Sequence, residues 1–482
     1  MDYTNLKPLD LVTTVNGAAG VRFCDKMNRK TSAGCPYKHS KKFLLRPLQR
    51  DDACAASYAD VSDTLFADMM LPNDEVIQTM EDIIATYKTG VRWCPVFCGH
   101  LKDEAVSEKK VKSQATRLFT ASPMAWTLVV RKYLLPMITF IQNHRFEFET
   151  GPGTIAQSLE WEEMFEHLTM FGPHKMVAGD YAKFDKSMLA QLILAAFEIL
   201  IYMAKRAGYT DNEILILRGI ATDTSYAFVD FDGDLIEFFG SNPSGHPLTV
   251  IINGLVNALY MRYTYCILNP ATECYSFKSN VALMTYGDDN VMGISDNAPW
   301  FNHTSIQREL SLCGVTYTMA DKEAISVPYI HISEVSFLKR KWRFDEDIGA
   351  IVAPLEHDSI EKMLTIGVAS RNVSPEAQAI AVISTAVREY FFYGRSVFEA
   401  KVVLLKEIVR EARLEIYVEE STFPTWDSLK QSFWHISRHV QLKRVVEGRE
   451  YLQQVDDATE NGLVHLTSIH DGLTPPMSEN CC

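Results

Sequence analysis

Two apolar runs, Val281-Ala282-Leu283-Met284 and Val291-Met292-Gly293-Ile294, flank the segment Tyr286-Gly287-Asp288-Asp289-Asn290. Runs of this length around a Gly-containing turn predict a β-hairpin with like charges at its tip. Neighbouring carboxylates repel, and each raises the pKa of the other. A hard divalent cation removes the conflict, because Mg²⁺ takes oxygen ligands from a few carboxylates and completes its shell with water and substrate phosphates. Taken alone, an Asp-Asp-Asn turn reads as a solvated hairpin tip. A second carboxylate site upstream changes that reading.

The stretch from His174 to Asp185 supplies it. Asp180 ends a short strand-like segment, Asp185 follows where a helix begins, and Lys186-Ser187-Met188-Leu189 leads into a long apolar run. A strand-end carboxylate beside a hairpin-tip carboxylate can make the two-metal clamp of in-line phosphoryl transfer. Asp185 also suits a helix N-cap. The chain carries no Walker-type Gly-Lys-Ser/Thr loop, so phosphate chemistry falls to carboxylates and basic residues.

With both sites in place, the chain resembles the RNA-dependent RNA polymerases of picorna-like positive-strand RNA viruses, the order Picornavirales, with a lean towards its dicistrovirus-like or marine-virus branches. The resemblance runs from about Thr31 to about Gly394, and its motifs stand in the family's order. Thr31-Ser32-Ala33-Gly34-Cys35-Pro36-Tyr37 resembles the motif that admits template. Lys102-Asp103-Glu104, with Lys109, Lys110, Lys112 and Arg117, resembles the basic motif that admits nucleotides. Asp180 to Asp185 is similar to the first palm motif, Ser244-Gly245-His246-Pro247-Leu248-Thr249 with Asn253 to the second, and Tyr286 to Asn290 to the third. Ala320-Asp321-Lys322 and Phe337-Leu338-Lys339-Arg340 resemble the fourth and fifth.

The resemblance implies an α+β right-hand polymerase fold, with fingers, a palm of antiparallel sheet and helices, and a helical thumb. It implies that Asp180, Asp288 and Asp289 hold two Mg²⁺ ions, with Mn²⁺ as an alternative, and act in catalysis together with Lys322, a general acid for the leaving pyrophosphate. Lys102, Lys110 and Arg117 are expected at the triphosphate, where a guanidinium offers phosphate oxygens two donors at once. Asp185, Ser244, Thr249 and Asn253 are expected at the nucleotide, with Asp185 and Asn253 sensing the ribose 2′-hydroxyl. A site built for a hydroxyl leaves its own polar groups unpaired when that hydroxyl is missing. The pair favours an RNA product over that of a reverse transcriptase, which also carries Tyr-x-Asp-Asp. Thr31, Ser32, Ser244, Gly245, Lys339 and Arg340 are expected on RNA. The implied partners are an RNA template and primer, ribonucleoside triphosphates, a viral protein primer and other replication proteins. The implied setting is the host cytoplasm, at membrane-associated replication complexes reached through partners. A polymerase fold that only binds RNA is the competing reading, and the intact Asp180, Asp288 and Asp289 argue against it.

Composition agrees without leading. The 482 residues, 47% of them hydrophobic, suffice for one large multi-subdomain enzyme. Ten Cys without regular spacing suit free thiols. Cys94, Cys98 and His100 lack a second ligand pair at zinc spacing. The apolar stretches Met124 to Ile141 and Met188 to Met203 are interrupted by Arg131 and Lys132 and by Gln191 and Glu198. They read as buried helices, not membrane spans of the chain's own. A net charge of −14 speaks against a nucleic-acid partner until its distribution is considered. From Arg22 to Arg50 the basic residues Arg22, Lys26, Arg29, Lys30, Lys38, Lys41, Lys42, Arg46 and Arg50 face a single acid, Asp25. This cluster and the one from Lys102 to Arg117 are expected to line a channel for template phosphates.

The expected map is fingers over 1–135, palm over 136–218 and 242–345, a fingers insertion over 219–241, and thumb with a C-terminal extension over 346–482. A hairpin is predicted around Asp232-Gly233-Asp234. Val402, Leu405, Val409, Ala412 and Ile416 are predicted on one face of a thumb helix. The Thr31 motif stands close to the N-terminus, which reads as a truncation relative to the family. The segment from about Glu419 has no counterpart in the family.

Overall fold

The computed structural model describes residues 2–446 apart from Asn5, Ser107, 321–323 and Arg371. At its centre lies an antiparallel four-stranded sheet in the order Tyr317–Met319, Met176–Tyr181, Asp289–Ile294, Val281–Tyr286. The last two strands are the predicted hairpin. Tyr286 pairs with Asp289, and the turn between them holds Gly287 at φ 64°, the left-handed value that a type II′ turn needs at its first central position. Side chains alternate between two buried faces. Val177, Tyr181, Leu283 and Met292 enter a core with the helices Ala190–Arg206 and Thr249–Leu268. Met176, Ala178, Met284 and Val291 meet Trp161, Met164 and Leu168 of the helix Glu160–Leu168. Burial on both faces explains why these strands read as unbroken apolar runs.

A second four-stranded sheet carries the fingers, in the order Leu118–Ala121, Val96–Leu101, Phe228–Phe231, Asp234–Glu237. The last two strands form the hairpin predicted at Asp232-Gly233, and its first strand runs parallel to Val96–Leu101. The insertion is thereby tied to the N-terminal fingers. The sequence map marks changes of pattern and not ends of elements. The helices Met124–Asn143 and Asp211–Ser225 run through the 135/136 and 218/219 boundaries, and the hairpin Arg343–Asp345 with Ala350–Val352 spans 345/346.

Among the described residues, one helix, Met124–Asn143, is long and apolar enough to cross a membrane. Here 78% of its apolar window is buried in protein. Arg131 within it donates to the carbonyls of Thr14 and Asp25 at 2.7 and 2.6 Å.

The thumb is helical, and Phe391, Phe398, Leu405, Val409, Trp426 and Phe433 build its core. Its helix Arg395–Glu411 buries Leu405 and Val409 as predicted. Ile416 departs from that face: Ala412 caps the helix, Arg413 turns the chain at φ 56°, and Ile416 stands 86% exposed. The segment after Glu419 forms the helices Trp426–Ile436 and Arg438–Val446. The second returns to the palm helix Glu160–Leu168, where Arg444 pairs with Glu162 at 2.9 Å and Glu166 at 3.0 Å. Residues 447–482 lie outside the described part.

Six residues of the first basic cluster are ion-paired. Arg22, Lys26, Arg29, Lys38, Arg46 and Arg50 pair with Glu160, Asp68, Asp68, Asp230, Asp52 and Asp63 respectively. Glu160, Asp68 and Asp230 reach the cluster from distant parts of the chain, while Lys26, Lys38 and Arg50 keep largely exposed side chains in their pairs. Glu160 is the strongest case. It is fully buried and accepts from Arg22 at 2.5 Å, Arg145 at 2.8 Å, His439 at 2.7 Å and the Ile155 amide at 2.8 Å. Burial alone would raise its pKa, but the His439 and arginine contacts hold it well below the usual carboxylate range.

Candidate active site

The palm register assembles the acidic motifs. Gly179 pairs with Asn290, so Asp180 comes opposite Asp289, and Asp288 stands at the exposed tip of the turn. Asp180 is 9% exposed. Its neighbour is glycine for a steric reason: a Cβ on Gly179 would lie 2.0 Å from the Tyr317 ring. Tyr317 crosses above it and donates to Asn290 Oδ1 at 2.7 Å. Burial, with a contribution from the Asp288 charge, keeps the Tyr181 hydroxyl protonated far above its ordinary range.

Asn257, which the sequence reading did not single out, holds the turn. It is fully buried on the helix Thr249–Leu268, and its Nδ2 faces the carbonyls of Gly287, Asp288 and Asp289 at 3.1, 3.1 and 3.3 Å. Its Oδ1 accepts from Tyr181 at 3.1 Å and Asn290 at 3.0 Å. A buried amide needs such partners. The available signal was an Asn one helical turn after Asn253 in an otherwise apolar run.

In the second motif, Ser244 Oγ accepts from the Thr120 amide at 3.0 Å, and the Gly245 carbonyl accepts from Ser122 Oγ at 2.8 Å. This loop is thus stitched to the fingers strand that follows Arg117. The Thr249 hydroxyl lies 2.9 Å from the Pro243 carbonyl and 3.0 Å from that of His246, so it shapes the loop. Asn253 is half-buried and accepts from Asn242 Nδ2 at 2.7 Å. Asp185 falls inside the short helix Phe184–Ser187, whose N-cap is Lys183, so it is not the cap itself. Its side chain, like Lys322 and Asp321, lies outside the described part.

In the basic motif, the Lys102 amide donates to the Arg117 carbonyl at 2.8 Å, while Lys110 is exposed on the helix Glu108–Lys112. Arg117 holds Glu104 with two donors, and this contact keeps the Glu104 pKa below its usual value. The Thr31 hydroxyl accepts from Lys41 at 2.8 Å and Ser32 Oγ from the Gly34 amide at 3.2 Å, both within their own loop.

Arg340 donates to both Glu389 oxygens at 2.7 and 2.8 Å and to the Ala353 carbonyl at 2.8 Å, and so joins palm to thumb. The tight turn at Leu338 and Lys339, with φ of 54° and 61°, sends adjacent side chains in different directions. Lys339 remains 68% exposed in its side chain, with Glu356 at 3.5 Å.

Among the described residues no three His, Cys, Asp or Glu side chains form a ready cage for a metal. Mg²⁺ does not require one: it binds through one or two carboxylates and fills its shell with water and substrate phosphates. Two paired strand ends carrying hard oxygen donors fit that ion.

A palm sheet with an acidic turn, a fingers sheet and a helical thumb define a right-hand polymerase. Residues 3–395 match the family model for viral RNA-dependent RNA polymerase, and the chain belongs to that family. It is 32% identical to the replicase polyprotein of Cricket paralysis virus over 67% of this chain and 19% of the polyprotein. For the replicase polyprotein of Drosophila C virus the values are 29%, 80% and 22%. For the RNA1 polyprotein of Satsuma dwarf virus they are 27%, 94% and 21%. The chain therefore spans roughly a fifth of these curated relatives, which are Picornavirales and include dicistroviruses. Among solved structures, the Sicinivirus 3Dpol RNA-dependent RNA polymerase matches with a TM-score of 0.70 and 17% identity, covering 89% of this chain and 82% of that one, a likeness of fold.

Proposed function

We propose that this chain copies RNA in viral genome replication, adding ribonucleotides to an RNA 3′-hydroxyl with release of pyrophosphate. One observation carries the reading: the palm register brings Asp180 opposite Asp289 with Asp288 at the turn tip. Asp180 and Asp288, supported by Asp289, would hold two Mg²⁺ ions, or Mn²⁺ in their place. Bound there, the ions supply the charge that activates the attacking oxygen and offsets the leaving one. The protein's own contribution is position. Asn257 fixes the turn, and the loop from Ser244 to Thr249 sets the floor between palm and fingers. Lys102, Lys110 and Arg117 meet the triphosphate, Arg117 exchanging Glu104 for phosphate oxygens. Asp185 and Asn253 read the 2′-hydroxyl, and Lys322 donates a proton to pyrophosphate. Lys339 and the loops at Thr31–Ser32 and Ser244–Gly245 contact RNA. The partners are template, primer, ribonucleoside triphosphates, a protein primer and other replication proteins, at replication complexes in the host cytoplasm.

Labelled ribonucleotide incorporation on a primed RNA template with Mg²⁺, beside the Asp288→Ala variant, tests this. Template-dependent extension that is lost in the variant is expected. Extension that survives in the variant, or that prefers deoxyribonucleotides, overturns the assignment.

A further inference from the structure

We propose that Asn242 and His246 are positioning residues for ribose selection, locking the Asn253 amide so that its oxygen faces Asn242 and its NH₂ faces the nucleotide. The proposal rests on the reading of Asn253 as the 2′-hydroxyl sensor. It follows from a chain of hydrogen bonds anchored at both ends by backbone groups. The Leu248 amide donates to His246 Nδ1 at 3.3 Å, so Nδ1 is an acceptor and the ring proton sits on Nε2. Nε2 then donates to Asn242 Oδ1 at 2.8 Å. Asn242 Nδ2 in turn donates to the Thr249 carbonyl at 3.2 Å and to Asn253 Oδ1 at 2.7 Å. An amide NH and a carbonyl have fixed roles, so the orientation of all three side chains follows from the two ends.

The site is built for constancy. Asn242 is 1% and His246 7% exposed, and the His246 ring meets the Trp126 ring edge-on at 5.9 Å. Burial pulls the His246 pKa down to about 3, so the ring stays neutral through the physiological range.

The direction of the amide matters because of the hydroxyl it is to read. A 2′-hydroxyl has one proton to give and lone pairs to accept with. The Asp185 carboxylate can only accept, so its partner must donate. With Asn253 reversed, two acceptors would compete for one proton. Asn242 prevents the reversal by requiring an acceptor on its own side.

The test measures kcat/KM for a ribonucleotide and for its 2′-deoxy analogue opposite one template base, in the full chain, with melting temperature as a check of folding. Asn242→Leu keeps volume and removes both polar atoms, and His246→Phe keeps a ring and removes the donor. Each is expected to lower the ribo-to-deoxyribo ratio by about tenfold, the worth of one hydrogen bond, through the ribonucleotide KM. Deoxyribonucleotide incorporation should stay nearly constant. His246→Gln, which restores a donor, should recover most of the ratio. Asn242→Leu carries the test if His246→Phe does not fold. If both substrates decline together with the ratio unchanged, the network only holds the loop and the proposal is overturned. Asn253→Ala separates the two levels. If it leaves the ratio intact, the sensor reading falls and the proposal with it. If it collapses the ratio while Asn242→Leu does not, only the positioning role falls.

Discussion

Two acidic regions of the palm are held in opposite ways. Around Glu160, charge answers charge: Arg22 and Arg145, joined by the His439 ring, converge on one buried carboxylate from the N-terminal segment, the palm and the last thumb helix. Around Asp288 and Asp289 the described hydrogen bonds to the turn come from neutral groups. Asn257, Asn290, Tyr181 and Tyr317 grip the backbone carbonyls of the turn and each other through amides and hydroxyls. The first arrangement spends its acid on holding three parts of the chain together. The second fixes the position of a turn through amides and hydroxyls that satisfy its backbone carbonyls.

The contrast can be broken at four places. Asp288→Ala should reduce nucleotide incorporation by at least ~10²–10³-fold, the scale on which charge-stabilising groups act, with unchanged thermal unfolding. A matching fall in melting temperature would make this carboxylate structural.

Glu160→Gln should do the reverse, lowering stability by about 3–5 kcal/mol because buried cations lose their partner, while the folded fraction retains activity. Its pH dependence has a definite sign. The folded pKa is depressed, so the stabilisation is complete above the unfolded carboxylate value of about 4.3 and is lost as pH falls through the folded value. The stability gap between wild type and variant should therefore narrow in acid. A gap that widens would contradict the ion cluster.

Asn257→Leu tests the neutral scaffold. Leaving the turn carbonyls unsatisfied should cost about 1–3 kcal/mol, and displacement of the turn should slow incorporation roughly 10- to 10²-fold. Unfolding curves and single-turnover rates would separate the two effects. The smallest effect is expected at the fifth motif. Lys339→Ala should weaken RNA binding uniformly and reduce the salt slope by about 1. Arg340→Met should leave that slope unchanged and loosen the thumb, as read by limited proteolysis.

Much of the site was legible in the chain because its information is local. The Asp288–Asp289 turn, the strand ending at Asp180, the Ser244–Gly245 loop and the Asp232-Gly233 hairpin each lie within a few residues, and turn chemistry and strand periodicity act at that range. What escaped was long-range. The turn carbonyls that Asn257 holds lie 30 to 32 residues ahead, and His439 is 279 residues from Glu160. Arg340 and Thr249 sit in motif positions, and the protein partners their side chains find could not be read there, since a motif specifies residue types and not contacts.

The sequence by itself determined the chemistry available: which carboxylates stand on strands and turns, which segments are apolar enough to bury, and which family pattern they match. Only the tertiary structure decided which charges meet. The segment from Arg22 to Arg50 holds nine basic residues and one acid, so the partners of its charges lie outside it. Folding brought Glu160, Asp68 and Asp230 to Arg22, Arg29 and Lys38 across 138, 39 and 192 residues, because charges attract by their distance in space and not along the chain.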